Sequence, residues 1–316
     1  MPYPKNYEEF TRNVSKPTII NIDDYDYILY KFKFNGLQDF YDFLKADPKI
    51  NTEIWDELSS LTSSASFAGA PYKKAIEKLI EDTDPGYQEY LKIQKQMQAR
   101  EKQVHKYNEI KSIAGGVINP VDYTTGSATI YRTSRLINQP KFVTIDTQVA
   151  YNWMTNKSQV FNRALIITNL IRALERKNYK IDLNSFMMAR EGREIICAIF
   201  ELKKHNQPIN YQALYKSLVD VEFFRRLCFR IMEVSDVTDC DWPSGYGSTC
   251  DKDFVRKLLR LKKEDIYFDQ PNRMGIQGDE IGYDFENAIK RLHLENIIDI
   301  EKEKDILRNS VKVLKK

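Results

Sequence analysis

The sequence is short of several things, and each shortage narrows the reading. It has no run of about 18 apolar residues, so no membrane-spanning helix is expected. Met1 to Asp24 is polar and acidic without a continuous apolar stretch, and no secretory leader is expected there. Charge of one sign is missing too: 48 Lys and Arg against 45 Asp and Glu leave a net +3, too little to drive the chain onto nucleic acid by a global field. Only His105, His205 and His293 are available as imidazoles, which leaves little general-base capacity. No GxSxG, HExxH or paired Cys/His pattern stands out. The four cysteines form no CxxC and no ligand-spaced set with the histidines, so structural zinc cannot be assembled. No cofactor is expected, and the balance of these absences leans away from an enzyme.

What is present is a chain of 316 residues, 42% apolar, enough for one large or two modest domains. Cys197 and Cys228 sit in apolar surroundings and read as small core residues. Cys240 and Cys250 flank a Trp/Gly loop and could approach each other, but reduced thiols are the default for an intracellular chain. Tyr25 to Phe34 alternates as a strand ending at Asn35-Gly36, and Leu37 to Ala46 carries Phe40, Phe43 and Leu44 on one helical face. Pro71 fits the first turn of a helix over Tyr72 to Glu81. The Ser/Gly-rich residues before it lack a P-loop pattern and read as a plain helix start. Glu89 to Lys111, rich in Lys, Gln and Glu, predicts a long, mostly solvated helix. The expected organisation is an N-terminal α+β portion over 1–88, a helical linker over 89–113, and an α/β domain with a C-terminal helical extension over 114–316.

The middle third carries the clearest pattern. Phe142 to Ala150 alternates as a strand, and Ser158 could cap a helix running to about Lys177, with Asn178 as its C-terminal cap. Tyr179 to Met188 and Glu194 to Lys203 read as strands joined through Arg190-Glu191-Gly192-Arg193, where Gly192 supplies a positive φ. The first two strands should pair in parallel through a right-handed crossover, the second and third antiparallel. Helices are expected over Tyr211–Leu218 and about Val221–Glu233, then a basic helix from Asp251 or Asp253 to about Lys263. The fold class is α/β, a mixed sheet flanked by helices, of Rossmann-like character.

Four ordered pieces resemble an uncharacterised family encoded mainly by tailed bacteriophages and prophages. They are Ser66-Phe67-x-Gly69-x-x-Tyr72; Ala114-Gly115-Gly116-x-x-Asn119-Pro120-Val121-x-Tyr123-x-x-Gly126; Leu174-Glu175-x-x-x-Tyr179; and Phe223-Phe224-Arg225-Arg226-Leu227-x-Phe229-x-x-x-Glu233. The resemblance implies a phage-like origin, hence the cytoplasm of a bacterial host or a virion, and one unit built from these glycines and arginines. The strand order also resembles a von Willebrand A-like domain. Its metal motif, DxSxS, would fall on Asp146-Thr147-Gln148-Val149-Ala150, where both serines are missing, so Asp146 is at most a weak cation ligand.

Several groups stand out as binding residues. Arg225, Arg226 and Arg230 carry guanidinium forks that suit carboxylates or phosphates; they also suit internal salt bridges with Glu233 or Asp220. Lys252, Arg256, Lys257, Arg260, Lys262 and Lys263 could track a phosphate backbone, or simply form the solvated face of a core helix. The cluster Asp236, Asp239, Asp241 and Asp251 reads as solvated turn residues more readily than as a metal-nuclease set. Trp242 and Tyr246 suit docking of a partner protein, or could fold back over the core. In open α/β sheets ligands sit outside the carboxyl ends of parallel strands, which gathers Gln148, Asn152, Asn156, Met188, Arg190 and Glu191 at one rim. The expected function is non-enzymatic, through contacts with a phage or host protein. Binding of DNA or RNA through 252–263 is the alternative. Oligomeric state is left open by the sequence.

Overall fold

The computed structural model describes residues 17–46, 69–81, 83–101, 107–112, 117–118, 120–127, 131–136, 140–152, 154–228, 230–231 and 250–312. The first elements are a hairpin, β1 (Thr18–Ile22) and β2 (Tyr25–Phe34), closed by Asp23-Asp24 with Ile22 opposite Tyr25. Both aspartates have positive φ, 52° and 65°, as the right-handed twist of a two-residue hairpin turn requires. Helices α1 (Leu37–Ala46), α2 (Tyr72–Ile80) and α3 (Pro85–Arg100) follow. A small sheet is made by β3 (Tyr107–Ser112), β4 (Val117–Ile118) and β5 (Tyr131–Leu136) in the order β3-β5-β4, with α4 (Pro120–Thr124) between the last two strands.

The main sheet is completed by β6 (Lys141–Gln148), β7 (Tyr179–Glu191), β8 (Glu194–Lys203) and β9 (Ile266–Phe268). Its order is β1-β2-β8-β7-β6-β9. β6 and β7 are parallel, joined by α5 (Lys157–Arg176); β7 and β8 are antiparallel, turning at Gly192 with φ +53°. β6 also pairs in parallel with β9. The α/β class and its mixed sheet are therefore present, with the pairing senses that the alternation predicts. α5 differs in its cap. Asn156 accepts from the Gln159 amide at 2.8 Å while the Gln159 side chain accepts from the Asn156 amide at 2.9 Å, a capping box. The Ser158 hydroxyl instead donates to Asn156 Oδ1. Asn178 takes φ 64° just past the helix end, the left-handed position a short amide side chain tolerates.

Two apolar clusters flank the sheet. The larger gathers Phe34, Phe200 and Ile145 with the inner faces of α1, α2, α3, α5, α6 (Tyr211–Leu218), α8 (Ile281–Arg291) and α9 (Ile300–Lys312). The smaller gathers Tyr27, Phe186, Cys197 and Tyr267 beneath α7 (Lys252–Leu258). In β2 the buried side consequently switches: Tyr27 and Leu29 are covered on the α7 face, Phe32 and Phe34 on the face of the larger cluster.

The separate N-terminal portion and linker are not what forms. β2 is hydrogen-bonded in parallel to β8 from Ile28↔Glu194 to Phe34↔Phe200, inside the main sheet. The polar helix stops at Arg100 and buries Tyr87, Tyr90, Ile93, Gln94 and Met97; Tyr107–Ser112 is a strand paired with β5. Tyr90 OH meets Thr168 Oγ1 of α5 at 2.6 Å. The reason is spacing: apolar residues three and four apart give 85–100 a stripe to bury, whatever the charge of its other face.

Candidate functional site

At the carboxyl ends of β6 and β7, most of the expected rim turns inward. Gln148 is buried; its main-chain carbonyl accepts from Arg163 Nη1 at 2.7 Å and its side-chain Oε1 from the Ala150 amide at 3.4 Å. Asn152 Oδ1 accepts from the Met154 amide and the Thr155 hydroxyl, and Asn156 is the α5 cap. Met188 is buried in the smaller cluster. The three amides thus serve the backbone, as short polar side chains near helix starts commonly do.

Arg190 is the exception. It lies past the last β6 pairing, is exposed, and its guanidinium sits 4.9 Å from the Tyr27 ring centroid and 4.7 Å from that of Phe254. Those two rings meet edge to face at 5.4 Å, so the cation rests in the corner they form. Its Nε donates to the Gly192 carbonyl at 3.2 Å. Among the described residues no carboxylate pairs with it. Beside it, Arg273 Nη1 donates to the Cys250 carbonyl at 3.2 Å and to Asp269 at 3.4 Å. Burial pushes the Cys250 thiol up to about 11, against the pull of Arg190 and Arg273. Trp242, Tyr246 and Cys240 lie outside the described residues, as do Glu233, Asp236, Asp239 and Asp241. Cys197 and Cys228 are buried free thiols.

On α7, Asp251 is the cap, accepting from the amides of Asp253 and Phe254. The helix ends at Leu258 rather than near Lys263; Arg260 has φ 55°, which stops it. Lys257 is held by Asp23 of the β1–β2 turn, Nζ to carboxylate 2.5 and 2.7 Å. Arg256 donates to the carbonyls of Asp265 and Lys262. Lys252, Arg260, Lys262 and Lys263 remain exposed. Asp146 is buried, accepts from Asn184 Nδ2 at 3.0 Å, and burial raises its carboxyl to about 6. No group of three or more His, Cys, Asp or Glu that could hold a metal ion occurs among the described residues.

A second constellation surrounds the arginines Arg225 and Arg226, and of its members sequence reasoning missed Glu222, Lys216 and Asp84. The segment Phe223–Cys228 is π-helical rather than α-helical, a geometry that often marks functional sites. Arg225 is nearly buried, over the Tyr151 ring at 5.0 Å, with Nη2 donating to the Asn152 carbonyl at 3.4 Å. Arg226 Nε donates to the Ala70 carbonyl at 3.1 Å. Glu222 accepts from the Ala70 amide and from Lys78 Nζ, both at 3.1 Å. Gly69, at φ +79°, lies so close that a Cβ there would be 2.7 Å from the Glu222 side chain. Lys216, fully buried, bridges Asp220 at 3.2 Å and Asp84 at 3.7 Å. Burial raises the Asp220 carboxyl, and its hydrogen bond to Glu222 raises it further. Burial also works to raise Glu222, but the hydrogen bonds from Asp220, Lys78 and the Ala70 amide outweigh it and hold that carboxyl low. Two neighbouring carboxyls are thus driven in opposite directions, Asp220 up and Glu222 down. The available signal was the glycine before α2 together with the Phe223–Arg226 run: the fold brings Gly69 and Arg226 together.

No helix among the described residues is long and apolar enough to cross a membrane. Neither a curated protein nor a solved structure matches the chain. The family model described as domain of unknown function DUF7192 matches residues 16–296, a span holding the whole main sheet, the Arg190 corner and the Asp220–Glu222 pair, and the chain accordingly belongs to the DUF7192 family.

Proposed function

We propose that this chain is a non-enzymatic, phage-type protein that works through contacts with a phage or host protein, in the host cytoplasm or the virion, and that the contact surface is the rim around Arg190. One observation carries the placement: an exposed arginine already fixed by two aromatic rings and a backbone carbonyl loses little side-chain entropy when it binds. Arginine and tyrosine are also the residues that most often anchor protein interfaces. Trp242 and Tyr246, on the segment leading to Cys250, belong to the same proposed surface. The β6–α5–β7–β8 succession supports a von Willebrand A-like kinship, in keeping with a binding role.

The test is in-cell cross-linking with mass spectrometry, comparing the wild type with Arg190→Ala and Trp242→Ala. Cross-links to one phage or host protein should fall severalfold in both variants at unchanged melting temperature. Undiminished cross-links in both would move the surface elsewhere.

The second reading, nucleic-acid binding, rests on the exposed Lys252, Arg260, Lys262 and Lys263. The Lys257–Asp23 pair already occupies one of its cations. Retention on DNA and RNA should then fall with salt at a log–log slope of about −0.9 per duplex phosphate contact and about −0.7 on single strands. If Lys257→Glu combined with Arg260→Glu leaves retention intact, this reading fails.

A further inference from the structure

The seat of Arg190 says more about the partner than that it is a protein. A guanidinium offers five N–H donors in a plane and two apolar faces. Here the rings of Tyr27 and Phe254 take up apolar contact, and Nε is committed to the Gly192 carbonyl. What remains is the Nη1/Nη2 end, which has no protein acceptor among the described residues. That end matches the spacing of two oxygens on one carboxylate or phosphate. The surroundings favour an anion as well. Arg273 Nη1 donates to the Cys250 carbonyl, and Arg193 and Lys252 are exposed near this rim in sequence, with Asp251 the exposed acid beside Cys250. Asp269 is buried and accepts from the Gln270 amide at 2.7 Å and, through its other oxygen, from Arg273 Nη1 at 3.4 Å.

From this geometry we infer that the rim is an acidic-peptide site, in which the Nη fork of Arg190 receives a Glu or Asp carboxylate of the partner and Arg273 a second one. The inference rests on the contact surface proposed above. It selects a carboxylate over a phosphate because Phe254 and Tyr27 leave one planar fork carrying a single charge, which a planar, singly charged carboxylate matches edge-on. The competing role for Arg190 is a staple that merely fastens α7 to the β1–β2 hairpin, and the variants are chosen to separate the two. Arg190→Met keeps an unbranched apolar side chain against both rings and removes the donors. Arg190→Lys keeps the cation over the rings and removes the fork.

The experiment is fluorescence anisotropy of labelled octaglutamate on the full chain at near-physiological salt, with octaglutamine and a phosphoserine octapeptide of matched charge as comparison probes, and thermal melting of every variant. Wild type should bind octaglutamate at least tenfold more tightly than octaglutamine and more tightly than the phosphopeptide. Arg190→Met should weaken octaglutamate by about tenfold, the loss of one charge-assisted pair, and Arg190→Lys by a smaller factor, both with unchanged melting. Equal binding of octaglutamate and octaglutamine overturns the inference, and so does preference for the phosphopeptide. If Arg190→Met melts lower, Arg190→Lys decides: undiminished octaglutamate binding makes Arg190 a staple and removes the site. The two readings fail separately. Cross-links lost in Arg190→Ala without octaglutamate binding keep the contact surface and discard its acidic partner. Octaglutamate binding with cross-links unaffected keeps the anion fork and discards the proposed surface.

Discussion

Phe40 shows how much one side chain can tie together. It projects from α1 and is fully buried, with ring centroids 4.8 Å from Phe34 of β2, 4.9 Å from Phe200 of β8 and 5.7 Å from Phe223 of the π-helical segment. Aromatic pairs at these separations add stabilisation beyond the area they bury. Removing the ring leaves a cavity that four elements would have to collapse into at once. Phe40→Ala should therefore cost about 3–5 kcal/mol. Urea unfolding should register it as a lower midpoint with the slope kept, since the surface exposed on unfolding barely changes. Phe40→Leu should cost much less, because the cavity is smaller. A loss below 1 kcal/mol for the alanine variant would mean that α1 is not fixed to the sheet through this ring.

At the scale of elements, the turn between α6 and the π-helical segment couples α2 to the rest through the Asp220–Glu222 pair. Asp220 has its carboxyl raised by burial and by Glu222, so the folded chain holds a proton there that the unfolded chain releases near pH 4. That contribution to stability is complete below the unfolded value and is lost as pH rises toward and through neutrality. Glu222 is held low, so its contribution is present above its ordinary range and disappears as pH falls below it. Lys216, Lys78, Arg226, Asp84, Tyr215 and Tyr151 also face this pair, and the lysines limit the loss on the alkaline side. Thermal melting of the wild type should accordingly fall from pH 5 to pH 8.5, and Asp220→Asn should flatten that slope. A variant with the same slope as the wild type would put the titration elsewhere. Little of this pair was legible in the sequence. Asp220 could be read as a salt-bridge partner, but Glu222 looks like an ordinary polar residue beside an apolar run, and its partners Ala70 and Lys78 come from about 150 positions earlier. By contrast β6, β7, β8 and the turn at Gly192 could be read directly, since strand-period alternation, a β-branched apolar run in β8 and a positive-φ glycine are local signals. The region 85–112 fell between: Tyr87, Tyr90, Ile93 and Met97 keep a helical stripe, but the change of period at Tyr107 is masked by charged neighbours, and its partner β5 lies beyond a loop.

For the whole molecule, the place of β2 decides what can be cut away. It joins the sheet between β1 and β8, and α1, α2 and α3 share the larger cluster with α5 and α8. A fragment of residues 114–316 would leave one edge of β8 unpaired and strip the cover from Phe200 and Ile196. It should not fold, showing weak far-ultraviolet dichroism without a cooperative melt and collapsed amide dispersion; a sharp melt from that fragment would contradict a shared core. The same position of β2 bears on how the protein is made. Its partners Ile28 and Glu194 are separated by 166 positions. At ribosomal speeds of roughly 5–20 residues per second, β2 leaves the exit tunnel on the order of ten to thirty seconds before β8 exists to receive it. During that wait an aromatic strand, Tyr-Asp-Tyr-Ile-Leu-Tyr-Lys-Phe-Lys-Phe, is held with nothing in the chain to pair with but β1. Lys31 and Lys33, exposed in the finished sheet, set charges between those aromatics, the placement by which gatekeeper residues oppose strand pairing between unfolded chains.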